Sequence, residues 1–372
     1  MNSLHGMVLT PQGFVEGHIV WDPNGRIQSI QGVAVTEAQA RAATQALVLP
    51  GFIDLHVHGG GGHDIMEGGD AALHLTRMHG RHGTTCLLAT TMTAPLADLD
   101  TALHALAPLC QTRAPNAARV LGVHLEGPYI NRERLGAQPP FARNVDVEEI
   151  KRLHAIAPVR LITLAPEVDG NHDAISALCA QGFRVQLGHT NGSYEQGVAA
   201  LRCGATGFTH LFNAMSPLHH RAPGMVGAAL AHAQYAELIP DLLHVHPGAI
   251  QTALRAIPGL YCVTDATAAA GMPDGEYALG RHAVYKCQGG VRLADGTLAG
   301  STLSMDQALR NLVLQLGLDI ADASRRVSTY AADHLGLSDR GRLAPQAWAD
   351  MVVLDRDLQL QAVFVEGQAL AR

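Results

Sequence analysis

"LPGFIDLHVHGGGGHD", residues 49–64, runs as an apolar strand and then sets two histidines on one face, just before four glycines. Side chains alternate along a strand, so Ile53, Leu55 and Val57 share one side while Asp54, His56 and His58 share the other. In a half-buried strand that polar side would simply face water. The flanking residues instead resemble a parallel strand covered on both faces, whose polar side has nowhere wet to go except a site. With 21 histidines in the chain, one His-x-His pair is as easily chance as design. The rest of the chain decides between the two.

From about residue 50 apolar strands alternate with helical patterns. The strands are "GFIDLHVH", "TCLLATT", "RVLGVHLE", "VRLITLA", "FRVQLGH", "ATGFTHLF", "AELIPDLLHV" and "LYCVTD". Between them lie helix-like segments such as "DAALHLTRMHGRH", "HDAISALCAQ" and "YEQGVAALRC". Eight strands in such a series point to an α/β fold, a (β/α)8 TIM barrel more than an open sheet. After the eighth strand we expect a hairpin insertion over 276–299, a helix starting at "STLSMDQALRNLV" with Ser304 and Gln307 spaced as a capping box, and a helix near 319–336. Residues 1–49 carry short alternating strands broken by Pro, Asn and Gly, and "ADMVVLD" and "QAVFVEGQAL" repeat that pattern at the other end. This predicts a small β-sandwich built from 1–49 and 345–372 around a barrel of 50–344.

In a parallel barrel the C-terminal ends of all strands converge on one mouth, where the active sites of this fold sit. Strand one ends in His56 and His58, strand three in Glu126, strand five in His189, strand six in His210 and strand eight in Asp265. Unpaired burial of so many polar groups would cost a few kcal/mol each. Mixed imidazole and carboxylate donors match the preferences of zinc or iron(II), whereas magnesium and calcium want mainly oxygen. The expectation is a divalent metal at the mouth. His124 shares the face of Glu126 and is expected to support the site from the barrel interior rather than to ligate. His244 is assigned to anion binding and His246 to structure. His74, His79, His82, His104, His154, His232 and His334 lie on predicted helices, where surface or packing roles prevail. Glycines 59–62 fit no phosphate-binding fingerprint and read as a close-approach loop beside the metal.

Composition narrows the partners. A 47% hydrophobic content, a mean hydropathy of +0.09, a formal charge of −7 and a pI near 6.3 describe a well-cored chain with no basic run for nucleic acid or an anionic membrane. Any anionic ligand must then be held locally. The six cysteines show no C-x-x-C spacing, which argues against a thiolate zinc site and a disulfide framework. No stretch reads as a signal peptide or a membrane span, so the expected location is the cytoplasm.

"PGFIDLHVHG", "HLEGPYIN", "LGHT", "THLFNAMSPL", "RAPGMVGA", "LHV", "VTDATAAAG" and "LAGS" occur in this order over nearly the whole chain. Together they closely resemble the N-acetylglucosamine-6-phosphate deacetylases of the amidohydrolase superfamily. The resemblance implies a metal-dependent barrel with a small β-sandwich, usually dimeric, that removes acetate from an amino sugar phosphate. It assigns Glu126, His189 and His210 to the principal metal, and Asp265 to acid/base catalysis. Members that keep both histidines of the first strand can hold two metals, so with His56 and His58 the resemblance allows a binuclear site bridged by Glu126, with zinc the first choice, iron the second, and one or two ions per subunit. Arg221 and His244 match the residues that hold the sugar phosphate, reaching in the family across from the neighbouring subunit of a homodimer; Asn213 and Ala214 are expected to add nearby contacts. One departure stands out: many members carry a histidine that polarises the acetyl carbonyl where this chain has Gln138, whose amide donates but cannot become cationic. The choice between gluco and galacto sugars stays open on that account.

Two rivals are weighed against this. Many cyclic-amide hydrolases of the superfamily bridge their metals with a carboxylated lysine on strand four, and "VRLITLAPE" has no lysine. A noncatalytic sugar-phosphate-binding barrel would have no need of Asp265.

Overall fold

All eight expected barrel strands form in the computed structural model, which describes residues 1–371. They span Phe52–Val57, Thr84–Thr91, Arg119–Glu126, Val159–Leu164, Arg184–Leu187, Gly207–Phe208, Tyr235–Leu238 and Gly259–Cys262. The first six pair in parallel as one sheet and the last two as another. At the seams between the two sheets, Leu211 N donates to Glu237 O (2.9 Å) on one side, and on the other Asp265 N donates to His56 O (2.9 Å) and His58 N to Ala266 O (2.9 Å). A side-chain staple reinforces the second seam, where Thr264 donates to the buried Asp54 carboxylate through both its hydroxyl (2.6 Å) and its backbone N–H (3.1 Å). Asp54 thus serves closure, although it shares a strand face with His56 and His58. Burial raises its carboxyl to about 7 against those hydrogen bonds.

The helices between the strands form because their apolar residues recur on one stripe that covers the barrel. Ala71–Arg81, for example, buries Ala72, Leu75 and Met78. Leu87, Leu125, Ile162, Val185 and Phe208 belong to one continuous core between barrel and helices. Each such fully buried side chain contributes roughly 1.5–3 kcal/mol.

Both chain ends enter one β domain, as expected: hydrogen bonds run through seven strands, and a bridge between Arg26 and Trp348 joins the two ends of the chain again. The strand Leu47–Pro50 explains this. It pairs in parallel with Asn2–Thr10 on one side and antiparallel with Met351–Leu354 on the other, so the N-terminal and C-terminal strands become a single surface. Glu366 ties that sheet to the barrel, receiving Arg119 (2.9 Å) and Arg340 (2.6 Å), while Arg340 also reaches Asp350 (2.5 Å).

Two details depart from expectation. The insertion is a three-stranded meander, Gly275–Leu279, His282–Cys287 and Gly290–Arg292. The helix at Met305 has no capping box, because the Ser304 hydroxyl donates to Asp306 (2.5 Å) and leaves the backbone N–H groups uncapped by it. Among the described residues no helix is long and apolar enough to cross a membrane, and the six cysteines are free.

Candidate functional site

The strand ends converge as the fold requires. Glu126 is the last residue of the third strand, and His189, His210 and Asp265 follow the fifth, sixth and eighth within a few residues. The backbone turns left-handed at each of the last three, with φ of 48°, 29° and 50°. Non-glycine residues rarely adopt that conformation, and strain of this kind collects where side chains are aimed at a task. Close approach is enforced nearby by glycine: a Cβ on Gly59 would lie 2.5 Å from His63 O and 2.6 Å from Ala268 N, and one on Gly300 would lie 2.6 Å from the Thr267 side chain.

Two donor sets share Glu126. In the first, His189 Nε2 and His210 Nε2 each lie 3.1 Å from Glu126 Oε1 and 3.1 Å from each other. In the second, His56 Nε2 and His58 Nε2 stand 3.1 Å apart, 3.4 and 3.3 Å from Asp265 Oδ1. Glu126 reaches over to this set as well, 3.5 Å from His56 and 3.3 Å from His58. The residues expected at the metal are therefore all brought together.

The outer nitrogens of His56, His58 and His189 settle what those three rings present to the others. His56 Nδ1 donates to Glu237 Oε2 (2.9 Å), His58 Nδ1 to Thr90 O (3.1 Å) and His189 Nδ1 to Arg134 O (2.8 Å). With one proton on Nδ1, each of these rings turns Nε2 inward, and in the neutral form that nitrogen is a bare lone pair. Lone pairs then face lone pairs and carboxylate oxygens, which is repulsive unless a cation stands among them. Donors about 2.0–2.1 Å from one tetrahedral zinc ion are roughly 3.3 Å apart, close to the separations found. The donor set fits a borderline divalent metal.

Electrostatics agree. Burial opposes charge on His58, yet hydrogen bonds to Asp265 and Glu126 raise it to about 9. His56 is likewise raised against burial by Glu126, Asp265 and Glu237. Burial would raise Glu126 and Asp265, but the imidazoles outweigh it and hold both low, Asp265 at about 2. The site demands positive charge.

The mouth opens into a cavity of about 340 Å³, within the usual range for small-molecule sites. His58, Glu126, His189, His210 and Asp265 form its floor, and Asn213, Ala214, Gln138 and His244 line it as expected. Leu279, Thr297 and Leu298, on or beside the inserted meander, form another side. Asp241 holds His244 Nδ1 at 2.6 Å and, against burial, raises its proton affinity. His244 thus lines the cavity of its own chain. Arg221 is exposed and does not line the cavity. Gln138 is buried, and its amide donates to Glu126 Oε2 (2.5 Å) while its carbonyl accepts from Thr93 N (2.7 Å). Only one of its two amide hydrogens is left for a ligand.

His124 plays the interior part expected of it. Its Nδ1 donates to Leu55 O (3.0 Å) and its Nε2 accepts from Thr163 Oγ1 (2.7 Å), so neither nitrogen is free for metal. His246 is structural too, capping the helix Pro247–Ala256 by accepting from Gly248 N. Sequence reasoning missed two residues here. Arg134 lines the cavity with its guanidinium on Asn191 and its carbonyl on His189. Glu237 carries His56; its signal was a lone carboxylate inside the otherwise apolar seventh strand.

The Amidohydrolase family model matches residues 47–370. The N-acetylgalactosamine-6-phosphate deacetylase of Escherichia coli O157:H7 is 40% identical over 97% of each chain. The N-acetylglucosamine-6-phosphate deacetylase of Lysinibacillus sphaericus is 38% identical over 97% of this chain and 95% of its own. Among solved structures, an N-acetyl-D-glucosamine-6-phosphate deacetylase mutant from Mycobacterium smegmatis in complex with N-acetyl-D-glucosamine-6-phosphate superposes with a TM-score of 0.91 at 34% identity, covering 100% of this chain and 99% of the other.

Proposed function

The chain belongs to the amidohydrolase family, and from that premise we propose that it hydrolyses the acetamide of N-acetylglucosamine 6-phosphate to glucosamine 6-phosphate and acetate, in amino sugar catabolism. The observation that carries this is the convergence of inward-facing imidazole lone pairs on Glu126 and Asp265 at the floor of the cavity. Glu126, His189 and His210 would hold a divalent ion, zinc first and iron second, and His56, His58 and Asp265 would complete a place for another. When bound, such an ion polarises the amide carbonyl and makes water acidic enough to attack near neutral pH.

The chain's own groups do the rest. Asp265 is ionised across the physiological range, so it accepts the proton of the attacking water and then delivers it to the amine as the C–N bond breaks. Gln138, fixed by Thr93 and Glu126, offers its remaining N–H to the developing oxyanion. His244, whose proton affinity Asp241 raises, and Arg134 offer hydrogen-bond donors and positive charge to the sugar phosphate within one chain. Arg221 lies outside that cavity, so its contact with phosphate requires a second copy of the chain; we accordingly propose a homodimer. A cytoplasmic location follows from the amino sugar phosphate substrate.

A second reading, the galacto-configured substrate, is favoured by the name of the 40% identical E. coli relative. Acetate release by zinc-loaded protein from both acetylated hexosamine 6-phosphates, with unphosphorylated sugars as controls, tests the proposal. We expect turnover of the gluco phosphate and little of the free sugars. No acetate from either phosphate would overturn it.

A further inference from the structure

Glu237 sits in the seventh barrel strand, fully buried, and among the described residues no lysine or arginine pairs with it. An isolated ionised carboxylate in such a place is costly unless hydrogen bonds satisfy it. Three do. Oε2 accepts from His56 Nδ1 (2.9 Å) and from the backbone N–H of His210 (3.2 Å), and Oε1 accepts from the Tyr261 hydroxyl (3.3 Å). Tyr261 is fixed in turn by Gln186 Nε2 (2.5 Å).

His56, His124 and Glu237 also have donor atoms close enough to suggest a metal site of their own. That possibility closes on inspection of the partners: both His124 nitrogens are taken by Leu55 O and Thr163 Oγ1, and His56 Nδ1 carries the proton it gives to Glu237. Glu237 therefore acts through His56 rather than on an ion. Its effect reaches both donor sets, because the same oxygen that accepts from the His56 ring also accepts from the main chain of His210, where φ is 29°.

We propose that Glu237 is a positioning residue that locks His56 in the Nδ1–H tautomer, keeping its Nε2 lone pair aimed at the space shared with His58, Asp265 and Glu126. Carboxylates behind a ligating histidine orient the ring and raise its basicity, and their loss commonly weakens metal binding about 10–100-fold. The inference rests on His56 being a metal ligand, as proposed above.

Zinc binding to the full chain, measured by competition with a chromophoric chelator, tests both together through His56→Ala, Glu237→Gln, Glu237→Leu and the double variant His56→Ala/Glu237→Leu. Glutamine keeps an oxygen for His56 and His210 and loses only the charge. We expect the zinc step weakened by His56→Ala to be weakened about 10–100-fold by Glu237→Leu and less by Glu237→Gln, with the double variant no weaker than His56→Ala alone. A merely structural residue would give additive losses. If His56→Ala leaves zinc binding unchanged, the ligand assignment fails. If His56→Ala weakens it while Glu237→Leu and Glu237→Gln bind as the parent does, or the losses add, the positioning role is overturned.

Discussion

Two groups of buried histidines in this barrel respond to burial in opposite ways. At the mouth, His56 and His58 are raised well above an ordinary histidine, although burial alone would lower them. Away from it, His79 is lowered to about 4 and His334 to about 3, with burial as the leading cause. Exposure does not separate them, since His56 and His334 are both essentially inaccessible. Their neighbours do. His79 donates to Gly59 O and His334 accepts from the Gln186 amide, neutral partners that leave no demand for charge. The mouth histidines face Glu126 and Asp265, and their inward nitrogens meet acceptors. A buried histidine with only neutral partners is packing; one whose lone pair meets carboxylates is waiting for a cation.

The comparison breaks most visibly at Asp265. Asp265→Asn removes the proton acceptor while leaving His56, His58 and Glu126 in place, so acetate release is expected to fall roughly 10²–10⁴-fold with at least one zinc per chain retained by elemental analysis. Near-normal turnover would remove Asp265 from the chemistry. A smaller loss is expected at the phosphate. His244→Ala and Arg134→Ala should each cost about 1.5–3 kcal/mol of substrate binding, read as a raised KM for the phosphorylated sugar; an unchanged KM would leave the phosphate to Arg221 of a second copy.

The packing histidines should do the reverse. His334→Leu is expected to lower stability by about 1–3 kcal/mol in urea unfolding while kcat/KM of the zinc-loaded protein stays within twofold. A large loss of kcat/KM without destabilisation would dissolve the distinction between the two groups. The smallest effect is in pH. The unfolded chain protonates His334 near 6.5, whereas the fold refuses that proton until about 3. Acid therefore favours the unfolded state across that window, and this contribution to stability is lost as pH falls. In metal-free protein, His334→Leu should flatten the stability loss between pH 6 and 5 by about 1 kcal/mol. An unaltered slope would mean His334 already carries its proton in the fold.

Much of this was legible because a barrel converts order along the chain into convergence in space. Each candidate ligand stood at the end of a recognisable apolar strand, so His56, His58, Glu126, His189, His210 and Asp265 could be gathered from the sequence alone. The supporting groups were harder to see. Asp54 has the alternation of a ligand and is spent on Thr264. Glu237 lies within its strand and acts through the back of a ring. Gln138 faces Glu126, a partner that no local pattern names. Ser304 and Gln307 had capping-box spacing, yet Asp306 captured the hydroxyl. Patterns locate side chains along elements; which of two competing partners a side chain takes is settled only by tertiary packing.

The most direct test is a zinc titration of metal-stripped protein, following acetate release from N-acetylglucosamine 6-phosphate. Activity should be absent without metal, rise with zinc bound, and level off at one or two ions per chain. Full turnover in the stripped protein, or none at saturating zinc, would contradict the account.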